Sequence, residues 1–436
     1  MTVHHEIKQR VFEHADRHTE VLRSGLQASL QDVETFQQWV AERLELVGAS
    51  TSDFTLQRGD IEDQPAFQEE LESNPDGMKF GKNVVGRFPS REDTKQRDEA
   101  TTLLFAHADK SPASYRYATE GVGVDFEGGR LAGPGIADDV SGVTAAIGAL
   151  QTLAEGGWDP ATSVSVASIL GKQLGVAGTY GLMRQHGPAD AAVYVHPAES
   201  GQGLKDLKVG SNGLYECTVI LEGRPPQTSE THHPLYAHQG VNPVDAVGPV
   251  TQQLHAWTDE LADKHAHSGV EDAAGTSAGV LLSDVDVDDS GRAVYEMPQR
   301  CTITIALAFP PSVSLDIVEE GVRQTVYETA QENGVTSVAI HRGDHVAESA
   351  ETPTNTAAVQ TADTTIEQVT GHSPTYYYGH TASDIRYPIL YWNAPTVGFG
   401  PEAGAMGDRD EWIDREEYLE TIATLAVFLV EYTPTT

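Results

Sequence analysis

Between residues 101 and 195 the hydrophobic period switches repeatedly, and that alternation constrains the fold more than any other feature of the chain. Thr101–Ala106 reads as a fully buried strand, and Ser141–Leu153 as a helix with Val143, Ile147 and Leu150 on one side. Ser163–Leu170 is a second strand, Gly175–Gln185 a second helix and Ala191–Val195 a third strand. Strand, helix, strand, helix is the pattern of a parallel sheet covered on both faces. The style then changes. Leu214–Glu222 alternates as a half-buried antiparallel strand, followed by helix Pro243–Leu261, strands Ala278–Val287 and Cys301–Phe309, and helix Ser314–Gly334. From Val335 the first style returns, with helix Thr356–Gly371, strand Pro395–Phe399 and helix Arg415–Tyr432. One α/β domain is therefore expected inside another, with boundaries at 1–208, 209–321 and 322–436. Residues 5–48 read as helix; Ser29 is the expected cap of a segment whose Val33, Phe36, Val40, Leu44 and Val47 share a face. Residues 57–80 read as a long polar loop, and Tyr376–Tyr378 as a half-buried strand.

The 436 residues carry 28 Lys+Arg against 65 Asp+Glu, a net charge of −37, and only 9 of the basic residues are lysine. Such a surface repels nucleic acids and anionic membranes, so neither is expected as a partner. Diffuse acidity with little lysine points to a halophilic cytoplasm, where salt screens the self-repulsion. Two cysteines, Cys217 and Cys301, make neither a disulfide framework nor a thiolate zinc site, and read as buried thiols. No apolar run is long enough to span a bilayer, and the N-terminal residues lack the pattern of a signal peptide.

In open parallel sheets, sites form beyond the carboxyl ends of the strands. Here those ends lead into His107-Ala108-Asp109, Gly171-Lys172-Gln173, His196-Pro197-Ala198-Glu199 and Gly400-Pro401-Glu402. The turn Gly133–Asp139 delivers Asp138 and Asp139 to the start of the Ser141 helix, where the dipole alone favours a carboxylate by about 0.3–1 kcal/mol. An imidazole, a carboxylate two residues on, and a second carboxylate on a glycine-rich turn are the parts of a metal ligand, its orienting partner and a further ligand.

With these segments in hand the chain, from about Ser29 to its end, resembles the zinc-dependent deacylase and peptidase family of acetylornithine deacetylase, succinyl-diaminopimelate desuccinylase, carboxypeptidase G2 and aminoacylase-1. The likeness rests on Leu103–Pro112, on the segment from Phe126 to Asp139, on Gly240-Val241-Asn242-Pro243-Val244-Asp245-Ala246 and on Pro395–Pro401. It implies a mixed, mainly parallel sheet flanked by helices with an inserted α/β lid that dimerises, and a pair of metal ions sharing a bridging Asp. His107 matches the first metal ligand, Asp109 its orienting partner and Asp138 the bridge. The other positions are replaced. The Glu-Glu pair, general base then ligand, falls on Lys172 and Gln173; the next acidic ligand falls on His196. The lid histidine falls on Gln227, the last His ligand on Gly407, and the lid arginine on Ala308.

A lysine with an ordinary pKa near 10.4 is a poor proton acceptor at neutral pH, glutamine is a weak zinc ligand and glycine offers none. No catalytic residue is expected intact. Two arrangements stay open: the Lys172 ammonium replaces the lost metal charge beside Asp138, or one zinc, the most the residues allow, is kept by His107, Asp138 and His196, with Glu199 nearby or in place of His196. His380 and Arg386, in the segment similar to the family's Gly-Thr-Asp loop, are secondary candidates for ligand contact; the default reading makes His380 a surface imidazole and Arg386 exposed. The His-rich segment Thr231–His238 reads as a solvated loop. The expected function is a family member with a degenerate metal site, inactive or altered, binding a small-molecule or peptide ligand such as an acylated amino acid. A single-metal amidohydrolase and a structural or regulatory subunit are the alternatives. A cytoplasmic homodimer through the lid is the expected assembly.

Overall fold

The computed structural model describes residues 2–62, 81–90, 100–120, 124–126, 128–172, 177–229, 234–287, 296–343 and 345–434. The chain divides into two compact units, Met1–Gly210 with Ala350–Thr436, and Ser211–Ser349. The second boundary corrects the expected one at 321/322, and the first moves by two residues from 208/209. The helix Leu315–Glu332 places Val318, Val322, Val326 and Ala330 in the core of the inserted unit. Strand Ser337–Arg342 pairs with Gly213–Glu222 of the same unit. Tertiary pairing, which local composition does not register, assigns this stretch.

In the larger unit, an eight-stranded sheet runs in the order Ser50–Thr55, Lys82–Phe88, Ser163–Ile169, Thr101–His107, Ala191–Val195, Thr396–Phe399, Asp206–Lys208, Thr375–Tyr377. The central four of these, from Ser163–Ile169 to Thr396–Phe399, are mutually parallel, while the first two join antiparallel. Both faces of the centre are buried. Leu103, Phe105 and Tyr194 pack with Tyr180, Met183 and Tyr387 in one core, and the alternate residues Leu104 and Ala106 are equally buried. Burying such large apolar side chains contributes roughly 1.5–3 kcal/mol each. Helix Ser141–Gly156 touches strand Ala191–Val195 so closely that a Cβ at Gly142 would lie 1.9 Å from the Val195 carbonyl oxygen. The antiparallel edge, Ser50–Thr55 with Lys82–Phe88, went unread in the sequence because its first strand is almost wholly polar.

The N-terminal region forms three helices, Val3–Glu13, Ala15–Gln31 and Val33–Leu46. Ser29 is not a cap: it is buried inside the second helix, and Asp32 caps the third by accepting from Thr35 N at 2.6 Å. Most of the expected 57–80 loop, 63–80, lies outside the described residues. His18 on the second helix is 1% exposed, and among the described residues neither ring nitrogen has a hydrogen-bond partner. Burial, helped by Arg17 and His14 and opposed by Glu155, lowers its pKa to about 4. The unfolded chain therefore binds the extra proton first. Stability is whole above pH 6.5 and falls as pH drops toward 4, by up to about 3 kcal/mol from this residue. In His18→Leu that part of the acid slope should vanish, as read from denaturant midpoints at pH 7 and pH 4.5; equal slopes in variant and wild type would refute the assignment.

The inserted unit is a four-stranded antiparallel sheet in the order Gly279–Val287, Arg300–Phe309, Gly213–Glu222, Ser337–Arg342. Helices Val247–Lys264 and Leu315–Glu332 supply Val250, Leu254, Val318 and Val322 to the core that its buried strand residues build. Cys217 and Cys301 are buried free thiols on neighbouring strands; Cys217 pairs with Ile305 and Cys301 with Leu221, four positions apart along the ladder. Among the described residues no helix is long and apolar enough to cross a membrane.

Candidate functional site

His107, the loop carrying Lys172, and His196 all follow the carboxyl ends of adjacent parallel strands of the larger unit, as open-sheet architecture requires. The turn leading to Ser141 brings Asp138 to the same place, and its Asp138–Asp139 peptide bond is cis. Glu411 anchors this turn. Its buried carboxylate accepts from the backbone N–H groups of Gly135 (2.9 Å), Ala137 (2.8 Å) and Asp138 (2.8 Å), and from Gly407 (3.3 Å) and the Ser114 hydroxyl (3.4 Å). Burial pushes the Glu411 carboxyl up to about 7 in spite of these donors. The other side of the turn rests on Lys110, whose ammonium bonds the carbonyl (2.6 Å) and hydroxyl of Ser29 near the end of helix Ala15–Gln31. That helix has no basic residue in its last turn, so Lys110 supplies the favourable cation from elsewhere in the chain. Gly135, at φ +79°, leaves room for the lysine stem: a Cβ there would lie 2.6 Å from Lys110 Cδ.

The Lys172 ammonium donates to Asp138 Oδ1, making a short, largely buried ion pair. Burial alone would raise the Asp138 carboxyl, but Lys172, then His196 and His107, hold it far below the usual carboxylate range. Burial likewise opposes the charge on Lys172, and Asp138 outweighs it, raising the ammonium's pKa. Asp109 does not orient His107. The strand ends at His107, so Asp109 lies on the outgoing loop and accepts from the backbone N–H of Gly171 (3.1 Å) and Lys172 (3.0 Å), fixing the loop that presents the lysine. The partner of His107 is Asp384: His107 Nε2 and Asp384 Oδ2 are 2.9 Å apart, and the Thr179 hydroxyl donates to the other carboxylate oxygen. Against burial, His107 and Thr179 hold the Asp384 carboxyl at about 2.

His196 sits beside this pair, with Nε2 3.3 Å from Asp138 Oδ1 and Nδ1 2.6 Å from the Pro197 carbonyl oxygen. Burial lowers its pKa to about 4, so the ring is neutral at pH 7. Glu199 does not join Asp138; it pairs with Lys208 at 2.8 Å and with His380 Nδ1 at 2.7 Å. His380 is thus a half-buried, ion-paired residue rather than a free surface imidazole. Arg386 corrects the expectation of an exposed, ligand-binding guanidinium: it is 3% exposed and donates to the Ala382 and Ser383 carbonyls and to the Tyr387 hydroxyl.

Gln173 and the histidines at 232 and 233 lie outside the described residues. Gln227 is exposed on the inserted unit. Gly407 reaches the site through its backbone: its N–H donates to Glu411 and its carbonyl accepts from the Ser111 hydroxyl. Asp384, Glu411 and Lys208 had no role assigned from sequence. A usable signal existed for Lys208: in a chain with nine lysines, one inside the short strand Asp206–Lys208 is a lysine spent indoors.

Comparison with known proteins follows the same lines. The model of the peptidase family M20/M25/M40 matches residues 103–431. Succinyl-diaminopimelate desuccinylase of Rhodospirillum rubrum is 26% identical over 321 residues, covering 70% of this chain and 76% of the relative. The desuccinylase of Gluconacetobacter diazotrophicus is 25% identical over 308 residues, 69% and 73% of the two chains. Among solved structures, aminopeptidase PepT from Bacillus cereus superposes with a TM-score of 0.72 at 14% identity, over 95% of this chain and 98% of that one. Human carnosine dipeptidase 1 gives a TM-score of 0.67 at 14% identity over 99% of each chain. At that identity the structural likeness speaks for the fold, a mixed α/β architecture with a mainly parallel central sheet. The match to the family model spans three quarters of the chain, and with it the protein belongs to peptidase family M20/M25/M40.

Proposed function

We propose that this chain is an M20-family protein whose crevice no longer assembles the family's metal centre and serves instead to bind an acylated amino acid or short peptide without turning it over. Members of the family are metal-dependent, usually on zinc. The donor set here does not fit such a centre. The carboxylate at the bridging position, Asp138, carries the Lys172 ammonium, and the last ligand position, Gly407, has no side chain. Zinc prefers imidazole, thiolate and carboxylate, and an ammonium cannot ligate it. The observation that carries the reading is the ion pair between Lys172 and Asp138. A buried carboxylate needs a cation, and this one has an internal supply. Lys172 also stands where the family's general base would, and its raised pKa keeps it protonated, unable to take a proton from water.

Protein purified in concentrated salt without chelator should contain less than one zinc per chain, and chelator should leave its thermal midpoint unchanged. Calorimetry should register binding of N-acyl amino acids or dipeptides, with no product formed. Two zinc ions per chain together with hydrolysis of those compounds would overturn the proposal. We also propose a homodimer through the inserted unit. Among the described residues strand Gly279–Val287 is an unpaired edge of its sheet, and it exposes Leu281 (62%) and Val285 (46%), the kind of edge that pairs with another chain. Light scattering on the same preparation should read the mass of two chains.

A further inference from the structure

Among the described residues Lys208 is as deeply placed as any lysine, with 0% exposure. Its strand lies beside Thr396–Phe399, and its stem passes over Gly398, where a Cβ would come within 3.2 Å of Lys208 Cβ and Cδ. The ammonium lies 5.0 Å from the centre of the Tyr194 ring, 2.8 Å from Glu199 Oε1 and 3.2 Å from His380 Nδ1. Glu199 Oε1 also lies 2.7 Å from His380 Nδ1 and 3.6 Å from His196 Nδ1. His196 is therefore flanked by two ammonium–carboxylate pairs: Lys172–Asp138 faces Nε2, and Lys208–Glu199 faces Nδ1. Its ring stacks on Tyr194 with centroids 4.8 Å apart, and Tyr194 in turn lies under Lys208.

We infer that Lys208 is a second internal counter-cation, so that two lysines on either side of His196 supply positive charge to the crevice in place of metal ions. The inference rests on the reading of a crevice without a metal centre and extends it to residues outside the family's ligand positions. Isolated, either buried ion would be costly; each is held because its partner lies within hydrogen-bond distance. The arrangement predicts coupling. Lys208→Met strands the Glu199 carboxylate among buried groups, whereas removing both charges leaves a neutral pocket.

The test is a double-mutant cycle on the full chain in concentrated salt, with thermal midpoints as the readout and zinc chloride as the added probe. Lys208→Met should lower the midpoint by roughly 5–10 °C, and Lys208→Met with Glu199→Gln should recover most of that loss. If Lys208→Met fails to fold, Glu199→Gln supplies the single-variant arm, since it strands the ammonium instead. Zinc should leave the wild-type midpoint where it was. Additive effects, or a Lys208→Met midpoint equal to that of the wild type, would overturn the inference. Stoichiometric zinc in a wild type that still shows the coupling would instead overturn the functional reading and leave the Lys208–Glu199 pair standing.

Discussion

Glu411→Ala is expected to be among the most damaging single substitutions in this protein, costing about 4 kcal/mol or more. The glutamate accepts from four backbone N–H groups and one hydroxyl, three of the five belonging to the turn that carries Asp138. Its side chain is fully buried, so water does not replace it without a cavity forming. Each stranded buried donor costs roughly 1–3 kcal/mol, and the loss is concentrated in one turn. Glu411→Gln keeps one acceptor oxygen but turns an NH2 group toward donors, so it should fall between wild type and alanine. Denaturant midpoints at pH 8 in concentrated salt check the order. The alanine variant should also lose the binding of N-acyl amino acids, because Ala137, Asp138 and the Lys172 pairing depend on the same turn. An alanine variant within about 1 kcal/mol of wild type would show that the turn holds itself.

The second large effect is salt. We propose that the acidic surface is adapted to concentrated electrolyte. With a net charge of −37, the folded state concentrates like charges that the unfolded chain spreads apart. The screening length falls from about 10 Å at 0.1 M to about 3 Å at 1 M, below the spacing of most surface carboxylates. The thermal midpoint should climb steeply between 0.1 M and 2 M potassium chloride, by well over 10 °C, and flatten above that. The crevice pairs are shielded from solvent and should respond little, so the Lys208 coupling should persist at both salt concentrations. A midpoint flat in salt would remove the adaptation argument while leaving the crevice untouched.

The two effects separate what each kind of information decides. Salt dependence needs only composition, because screened repulsion sums over the whole chain regardless of where each carboxylate lies. The parallel sheet was legible for a similar reason. Strands such as Ala191–Val195 and helices such as Ser141–Gly156 announce themselves by local periodicity, and the sites beyond their carboxyl ends follow from architecture. Lys172 beside Asp138 was likewise within reach, since a carboxylate at that place requires a cation.

Long-range partners were not legible. Asp109 stands two residues from His107 yet serves the loop after another strand, while Asp384, 277 positions away, takes the imidazole. Arg386 looked like a free guanidinium because nothing local shows that carbonyls four and three residues back consume it. The boundary at 349/350 was missed because strand Ser337–Arg342 declares its unit only by pairing with Gly213–Glu222.

The amino-acid order by itself determined the architecture, the overall charge and the chemical kinds of side chain gathered at the crevice, because those follow from local pattern and composition. Which carboxylate holds which cation was decided only in the tertiary structure. Hydrogen bonds and buried ion pairs act over about 3 Å and discriminate between partners that the chain leaves hundreds of residues apart.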